Sequence, residues 1–220
     1  MIKACIFDMD GTTVNTINSI KYFANNALQK SGLSTLDTEV YKKIVGNGAK
    51  VLVERMLEKV GADKKYFDEV FPEYNTTYDN DFLYLTEPYD GIIDMLKELK
   101  NRGITVAILS NKPHITAAKV SDALFPDNLV NICYGGRENI PLKPAPDGVF
   151  QIIDELGITK EECLYIGDTS TDMKTGKSAG LYTVGVLWGF RDKEELVTSG
   201  ADEIISHPGE LLNIIDKLSF

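Results

Sequence analysis

Six short apolar runs of β type, each separated from the next by a helical pattern, constrain this chain more than any other feature. The runs are Ala4–Phe7, Ile104–Leu109, Leu129–Tyr134, Cys163–Ile166, Thr183–Leu187 and Glu203–Ile205. Strands that return only after a helix-length crossover pair in parallel, and a parallel sheet needs helices over both faces. The intervening segments supply them. Ile92, Ile93, Leu96 and Leu99 form one apolar stripe closed by Gly103; Val149, Phe150, Ile153 and Leu156 form another closed by Gly157. The last helix carries Leu211, Leu212, Ile215 and Leu218. The class predicted is α/β.

One stretch breaks the alternation. From about residue 16 to residue 86 the apolar spacing is helical and no strand is evident: Ile17, Ile20, Ala24, Ala27 and Leu28 share one helix face, and Leu52, Val53, Met56, Leu57 and Val60 another. Lys64 to Leu83 also reads as helix, with Pro72 a break or a kink. The division predicted is therefore a sheet-based unit, residues 1–15 and 87–220, interrupted by a helical unit, residues 16–86. A chain of 220 residues is long enough for one large core and a second small one.

Charge limits the partners. With 33 acidic against 23 basic residues the net charge is -10, so a polyphosphate backbone is repelled and nucleic acid is not expected as a partner. A small anion stays compatible if local cations or a metal reverse the field in a cleft. Cys5, Cys133 and Cys163 form no CxxC pair and each lies in an apolar run, which predicts reduced, buried thiols and a cytoplasmic setting. No apolar stretch has the length of a membrane span, and Asp8 comes too early for the apolar region of a signal peptide. No membrane partner is expected, and the oligomeric state stays open.

The chemistry sits at strand ends. The first run is followed by Asp8-Met9-Asp10-Gly11-Thr12, and the run ending at Ile166 by Gly167-Asp168-Thr169-Ser170-Thr171-Asp172. Ligands of parallel sheets bind beyond the carboxyl ends of the strands. Alone, the first cluster reads equally well as a turn with a helix cap. If the two strands are neighbours, however, four carboxylates crowd one volume, which is costly unless a cation joins them. All-oxygen ligands without histidine point to a hard ion, Mg2+ foremost. Two more strand ends offer phosphate ligands. Ser110-Asn111-Lys112-Pro113 presents a hydroxyl and a free backbone N–H ahead of a helix, which also reads as an ordinary N-cap. Leu142-Lys143-Pro144-Ala145-Pro146-Asp147 holds Lys143 between fixed backbone segments.

These four segments, in this order, resemble the four motifs of the haloacid dehalogenase superfamily, and the match spans essentially the whole chain. The helical insertion resembles that superfamily's cap. Val45-Gly46-Asn47-Gly48-Ala49-Lys50-Val51-Leu52-Val53-Glu54-Arg55-Met56-Leu57, Ser110-Asn111-Lys112-Pro113 and Trp188-Gly189-Phe190-Arg191 resemble its phosphoglycolate phosphatase branch. The resemblance implies a Rossmann-like parallel-sheet core with an inserted all-helical cap, and Mg2+-dependent hydrolysis of a small phosphorylated metabolite. It implies Asp8 as nucleophile, Asp10 as general acid and base oriented by Thr12, and Lys143, Ser110 and Asn111 as stabilisers of the transferring phosphoryl group. The metal set implied is Asp8, the Asp10 carbonyl, Asp168 and Asp172. In the cap, Gly46, Asn47 and Gly48 are expected near a substrate carboxylate, with Lys50 or Arg55 adding charge. Thr13 and Asn15 depart from the leucine and aspartate usual in relatives, and Asn15 is expected to cap the following helix.

Other readings share these motifs. A β-phosphoglucomutase-like phosphomutase uses the same aspartates, and a pyrophosphate or sugar-phosphate hydrolase is not separable by motif. A phospho-receiver module also gathers acids, a hydroxyl and a lysine around Mg2+, but carries its phosphoaccepting aspartate on a later strand and lacks such an insertion. His114 and His207 are too few for a zinc centre.

Overall fold

The computed structural model describes residues 1–219. Strand β1 (Ala4–Phe7) leads through β2 (Val14–Asn15) into four helices, α1 (Ile17–Lys30), α2 (Thr38–Ile44), α3 (Ala49–Lys59) and α4 (Phe67–Asn80). The chain returns through β3 (Glu87–Pro88) and then alternates: α5 (Ile92–Asn101), β4 (Thr105–Pro113), α6 (His114–Leu124), β5 (Ile132–Gly136), α7 (Asp147–Leu156), β6 (Cys163–Gly167), α8 (Ser170–Ala179), β7 (Tyr182–Val186), α9 (Lys193–Thr198), β8 (Glu203–Ile205) and α10 (Glu210–Leu218). Six strands form one parallel sheet in the order β5-β4-β1-β6-β7-β8, and β2 pairs antiparallel with β3.

Alternation along the strands explains the two layers of helices. Cys5 and Phe7 of β1 face a core shared with α5 and α10, while Ala4 and Ile6 face one shared with α7. A third apolar cluster belongs to α1–α4, built on Phe23, Leu28, Tyr41, Met56 and Tyr74 and touched from the sheet side by Phe190. The inserted helices thus bury their apolar faces against one another.

The strand order places the chemistry. The chain runs from β1 to β4 and β5 on one side, then crosses to β6 on the other, so the direction of winding reverses between β1 and β6. Strand ends splay apart at such a point and leave a crevice. Phe7 is in register with both Ile108 and Ile166, so Asp8, Ser110 and Asp168 lie at the same end of three adjacent strands.

Four local expectations are corrected. Phe150 points outward at 45% exposure, and Ile152, fully buried, takes its place on the inner face of α7. Helix α4 continues through Pro72 without a break. Cys5 and Cys163 are buried but Cys133 is half-buried. Asn15 does not cap α1: Thr16 is the N-cap residue, without a side-chain cap bond, and Asn15 lies in β2 with its Oδ1 buried and unpaired. Pairing Asn15 with Glu87 holds it in the strand that joins the two parts of the chain. Among the described residues no helix is long and apolar enough to cross a membrane.

Candidate active site

Chain reversal after β1 sets the first carboxylate. The Met9 carbonyl accepts the amides of Thr12, Thr13 and Val14, a tight loop that Gly11 enters at φ +95°. A Cβ on Gly11 would meet Asp168 Oδ2 at 2.3 Å. Gly11→Ala is therefore expected to destabilise the protein by about 1–3 kcal/mol through forced backbone strain and to lower activity by displacing Asp168. Urea unfolding with parallel kinetics measures both, and unchanged values would refute the account.

Asp8, Asp168 and Asp172 are all buried and bring carboxylate oxygens within 4.8 Å of one another. Asp8 Oδ1 accepts the Met9 amide at 2.6 Å and lies 2.8 Å from Lys143 Nζ; Asp8 Oδ2 accepts no hydrogen bond among the described residues. Burial first, then Asp172, pushes the Asp8 carboxyl well above the usual range, although Lys143 opposes the shift. Asp168 takes the Thr12 hydroxyl at 2.9 Å on Oδ1 and the Phe190 amide at 2.8 Å on Oδ2. Burial and then Asp172 push its carboxyl up to about 7. Asp172 accepts Lys143 Nζ at 2.7 Å on Oδ1, and the Thr169 hydroxyl and amide on Oδ2, closing a capping box at the start of α8.

Lys143 lies at the centre of this group. Burial by itself would lower its pKa, but Asp172 and Asp8 outweigh that and hold the ammonium charged well above its ordinary range. Its backbone is clamped by Asn111, whose Oδ1 accepts the Lys143 amide at 2.8 Å and whose Nδ2 donates to the Lys143 and Gly46 carbonyls, both at 3.0 Å. The Asn111 side chain is thus committed to positioning Lys143 and is not left for a phosphate oxygen. Ser110 is buried beside it and accepts the Lys112 amide at 3.2 Å, so its hydroxyl hydrogen remains for a ligand.

One further assignment changes. The Thr12 hydroxyl serves Asp168, not Asp10, because the loop turns Asp10 the other way. Asp10 meets Lys112, whose Nζ lies 3.1 Å from both of its oxygens and 3.0 Å from the Tyr78 hydroxyl of α4. Burial tends to strip the Lys112 proton, yet Asp10 chiefly, then Tyr78 and Tyr74, keep it charged.

The glycine loop between α2 and α3 comes down on the strand ends. Gly46 accepts Asn111, Asn47 Nδ2 donates to Thr171 at 3.3 Å, and Gly46 and Gly48 border a cavity of about 60 Å3 with Tyr74, Tyr78 and Lys112. Lys50 is exposed and outside that lining. Arg55 donates to the Ile44 carbonyl and Asn47 Oδ1, both at 2.9 Å, so it braces the loop.

The motif Ser110-Asn111-Lys112-Pro113 does not by itself give Lys112 a role, and no local pattern signals the hold of the Trp188–Phe190 segment on the site. Trp188 Nε1 donates to the Thr12 carbonyl at 2.8 Å, and a Cβ on Gly189 would meet Asp168 at 2.3 Å. The Phe190 amide on Asp168 is a main-chain contact and carries no side-chain signature.

The model of the haloacid dehalogenase-like hydrolase family matches residues 5–186. A phosphoglycolate phosphatase of Aquifex aeolicus is 28% identical over 98% of this chain and 98% of its own. An N-acetylmuramic acid 6-phosphate phosphatase of Pseudomonas aeruginosa is 27% identical over 98% of this chain and 96% of its own. A crystal structure from Lactobacillus delbrueckii subsp. bulgaricus superposes with a TM-score of 0.91 at 29% identity, covering 97% of this chain and 98% of the other.

Proposed function

This chain belongs to the haloacid dehalogenase-like hydrolase family and is a phosphatase; on that premise we propose that it hydrolyses a small phosphomonoester, 2-phosphoglycolate foremost, through an aspartyl-phosphate on Asp8. The observation that carries this reading is the cluster of three buried carboxylates around one ammonium, with Asp8 Oδ2 open, at the reversal point of the sheet.

Charge and donor type make the cluster suited to Mg2+. Three carboxylates against one lysine leave two negative charges when all are ionised, and every free donor is a hard oxygen. Asp8, the Asp10 carbonyl and Asp168 would hold the ion. Asp172 supports the set by fixing Lys143, whose Nζ it accepts at 2.7 Å. When bound, Mg2+ supplies neutralising charge to the phosphoryl oxygens.

The chain's own groups carry the steps. Asp8 Oδ2 forms the bond to phosphorus as the ester oxygen leaves, and Asp10 gives that oxygen a proton. A water then attacks the acyl phosphate, Asp10 takes its proton, and Asp8 is regenerated as phosphate departs. Lys143 and the Ser110 hydroxyl stabilise the charge that builds on the transferring oxygens. Residues 16–86 serve as a cap on the core of residues 1–15 and 87–220, excluding water during the first transfer through contacts such as Asn111–Gly46 and Lys112–Tyr78.

Substrate size follows from the cavity. The cavity beside Lys112, about 60 Å3 and bordered by Tyr74, Tyr78 and the glycine loop, supports a short leaving group such as glycolate. A panel of phosphomonoesters assayed for kcat/KM with Mg2+ is expected to place 2-phosphoglycolate above hexose and muramic acid phosphates. A sugar phosphate at the head of the panel would overturn the assignment, and so would an isomerised phosphate product.

Metal binding should carry a pH signature. Asp168 rises from about 3.9 unfolded to about 7 folded, so the metal-free protein loses stability as pH climbs through that interval, and Mg2+ restores it by binding the ionised form. The Mg2+-induced rise in Tm is expected to be several degrees larger at pH 8 than at pH 6, since a tenfold change in affinity is about 1.4 kcal/mol and 1 kcal/mol moves Tm by about 2–4 °C at this size. Asp168→Asn is expected to weaken Mg2+ about 100-fold and flatten the pH dependence. An unchanged calorimetric titration would remove Asp168 from the metal set.

A further inference from the structure

The cavity beneath the α2–α3 loop contains a single cation. Among the described residues that line it, Lys112 alone carries positive charge. Arg55 is held by Ile44 and Asn47, Lys50 faces solvent, and Arg191 lies outside the lining, with Nη2 on the Lys43 and Val45 carbonyls, Nε on Glu195 and Nη1 buried without a partner among the described residues. The one acid in the lining, Asp79, is engaged as well: Oδ1 accepts the Thr116 hydroxyl at 2.6 Å and Oδ2 the Asn75 amide at 3.1 Å.

Lys112 is placed to meet an incoming anion. Its ammonium has three donors; the two Asp10 oxygens, equidistant at 3.1 Å, share one, and Tyr78 takes a second. The remaining donor has no partner among the described residues. In the reading above, Asp10 touches the ester oxygen of the substrate. An ester whose first carbon bears a carboxylate puts that carboxylate two bonds from the same oxygen. The neighbour of Asp10 is therefore the neighbour of the carboxylate.

We infer that Lys112 is the specificity-determining residue for the leaving group, selecting short phosphomonoesters that carry a carboxylate on the carbon next to the ester oxygen. This rests on the phosphatase reading with Asp10 as the proton donor. It gives the lysine of Ser110-Asn111-Lys112-Pro113 a task separate from that of Lys143, which faces the phosphoryl group.

The test compares kcat/KM for 2-phosphoglycolate and 2-hydroxyethyl phosphate, a partner of equal length without the charge, in wild type, Lys112→Gln and Lys112→Arg. In Lys112→Gln both esters are slowed, because Asp10 loses a neighbour. The preference for the carboxylate ester is expected to fall about 10- to 100-fold, the range of a hydrogen bond between charged groups. Lys112→Arg should keep part of the preference. An equal fall for both esters would mean that Lys112 merely orders Asp10, and the inference would be overturned. If wild type ignores 2-phosphoglycolate but prefers 2-phospholactate to its uncharged alcohol analogue, and Lys112→Gln loses that preference, the substrate named above fails and this inference stands. A second measurement needs no variant: glycolate is expected to inhibit the wild-type enzyme at least about tenfold more strongly than ethylene glycol, and equal inhibition would overturn the inference.

Discussion

Asp8→Asn is expected to abolish turnover, with kcat reduced about 10^4-fold or more, while the protein stays folded. An amide cannot form the acyl phosphate, so the loss is chemical. The fold survives because the substituted side chain keeps the size of the original and Lys143 retains Asp172 at 2.7 Å. Removing one of three crowded carboxylates also relieves a repulsion, visible in the upward displacement of Asp8 caused by burial and by Asp172. The metal-free variant should therefore melt no lower than metal-free wild type, and its response to Mg2+ should shrink. Steady-state phosphate release, circular dichroism and thermal melts with and without Mg2+ test all three. Turnover within 100-fold of wild type would refute Asp8 as nucleophile.

Lys143→Met should produce the largest loss of stability. Lys143 is 5% exposed, and its ammonium lies 2.8 Å from Asp8 and 2.7 Å from Asp172. Methionine fills the same volume but leaves three carboxylates without a counter-charge, and removing one partner of a buried ion pair costs about 3–5 kcal/mol. With about 2–4 °C per kcal/mol, the expected drop in Tm is of order 10 °C without Mg2+. Added Mg2+ should recover part of it. Activity should fall as well, because the charge that faced the transferring oxygens is gone. A melt unchanged in the absence of metal would show that the cluster is protonated throughout and that Lys143 does not hold it together.

The two variants separate roles that lie within one hydrogen bond of each other. One removes a reacting atom and leaves the electrostatic frame; the other removes the frame and leaves the reacting atom. An active site in which both lost only activity, or both only stability, would not be the one described.

The extent to which the site was legible differs from residue to residue. Asp8 and Asp168 are legible because each follows an apolar run, Asp172 because it shares the Asp168 segment, and Lys143 because Pro144 and Pro146 mark its segment ahead of a helix; the strand order then brings them together. Asn111 is legible as a site residue, but its side-chain partners are not: an amide offers both a donor and an acceptor, and only the approach of Lys143 and Gly46 decides which groups it meets. Thr12 likewise turned to Asp168 because the Gly11 loop points Asp10 away. Phe150 was misplaced because a helical stripe defined to within one residue leaves two candidates, Phe150 and Ile152, for one inward position.

Local pattern alone determined the α/β class, the six strands, the helical interruption and the acids at the strand ends, because periodicity and strand termination depend on neighbours in the chain. The pairing of Lys112 with Asp10 across 102 residues, the cavity that the inserted helices close over it, and the main-chain hold of Phe190 on Asp168 were decided only by the tertiary structure. Those contacts arise from strand order and from the way one part of the chain packs on another, and no local preference encodes a distance between residues so far apart.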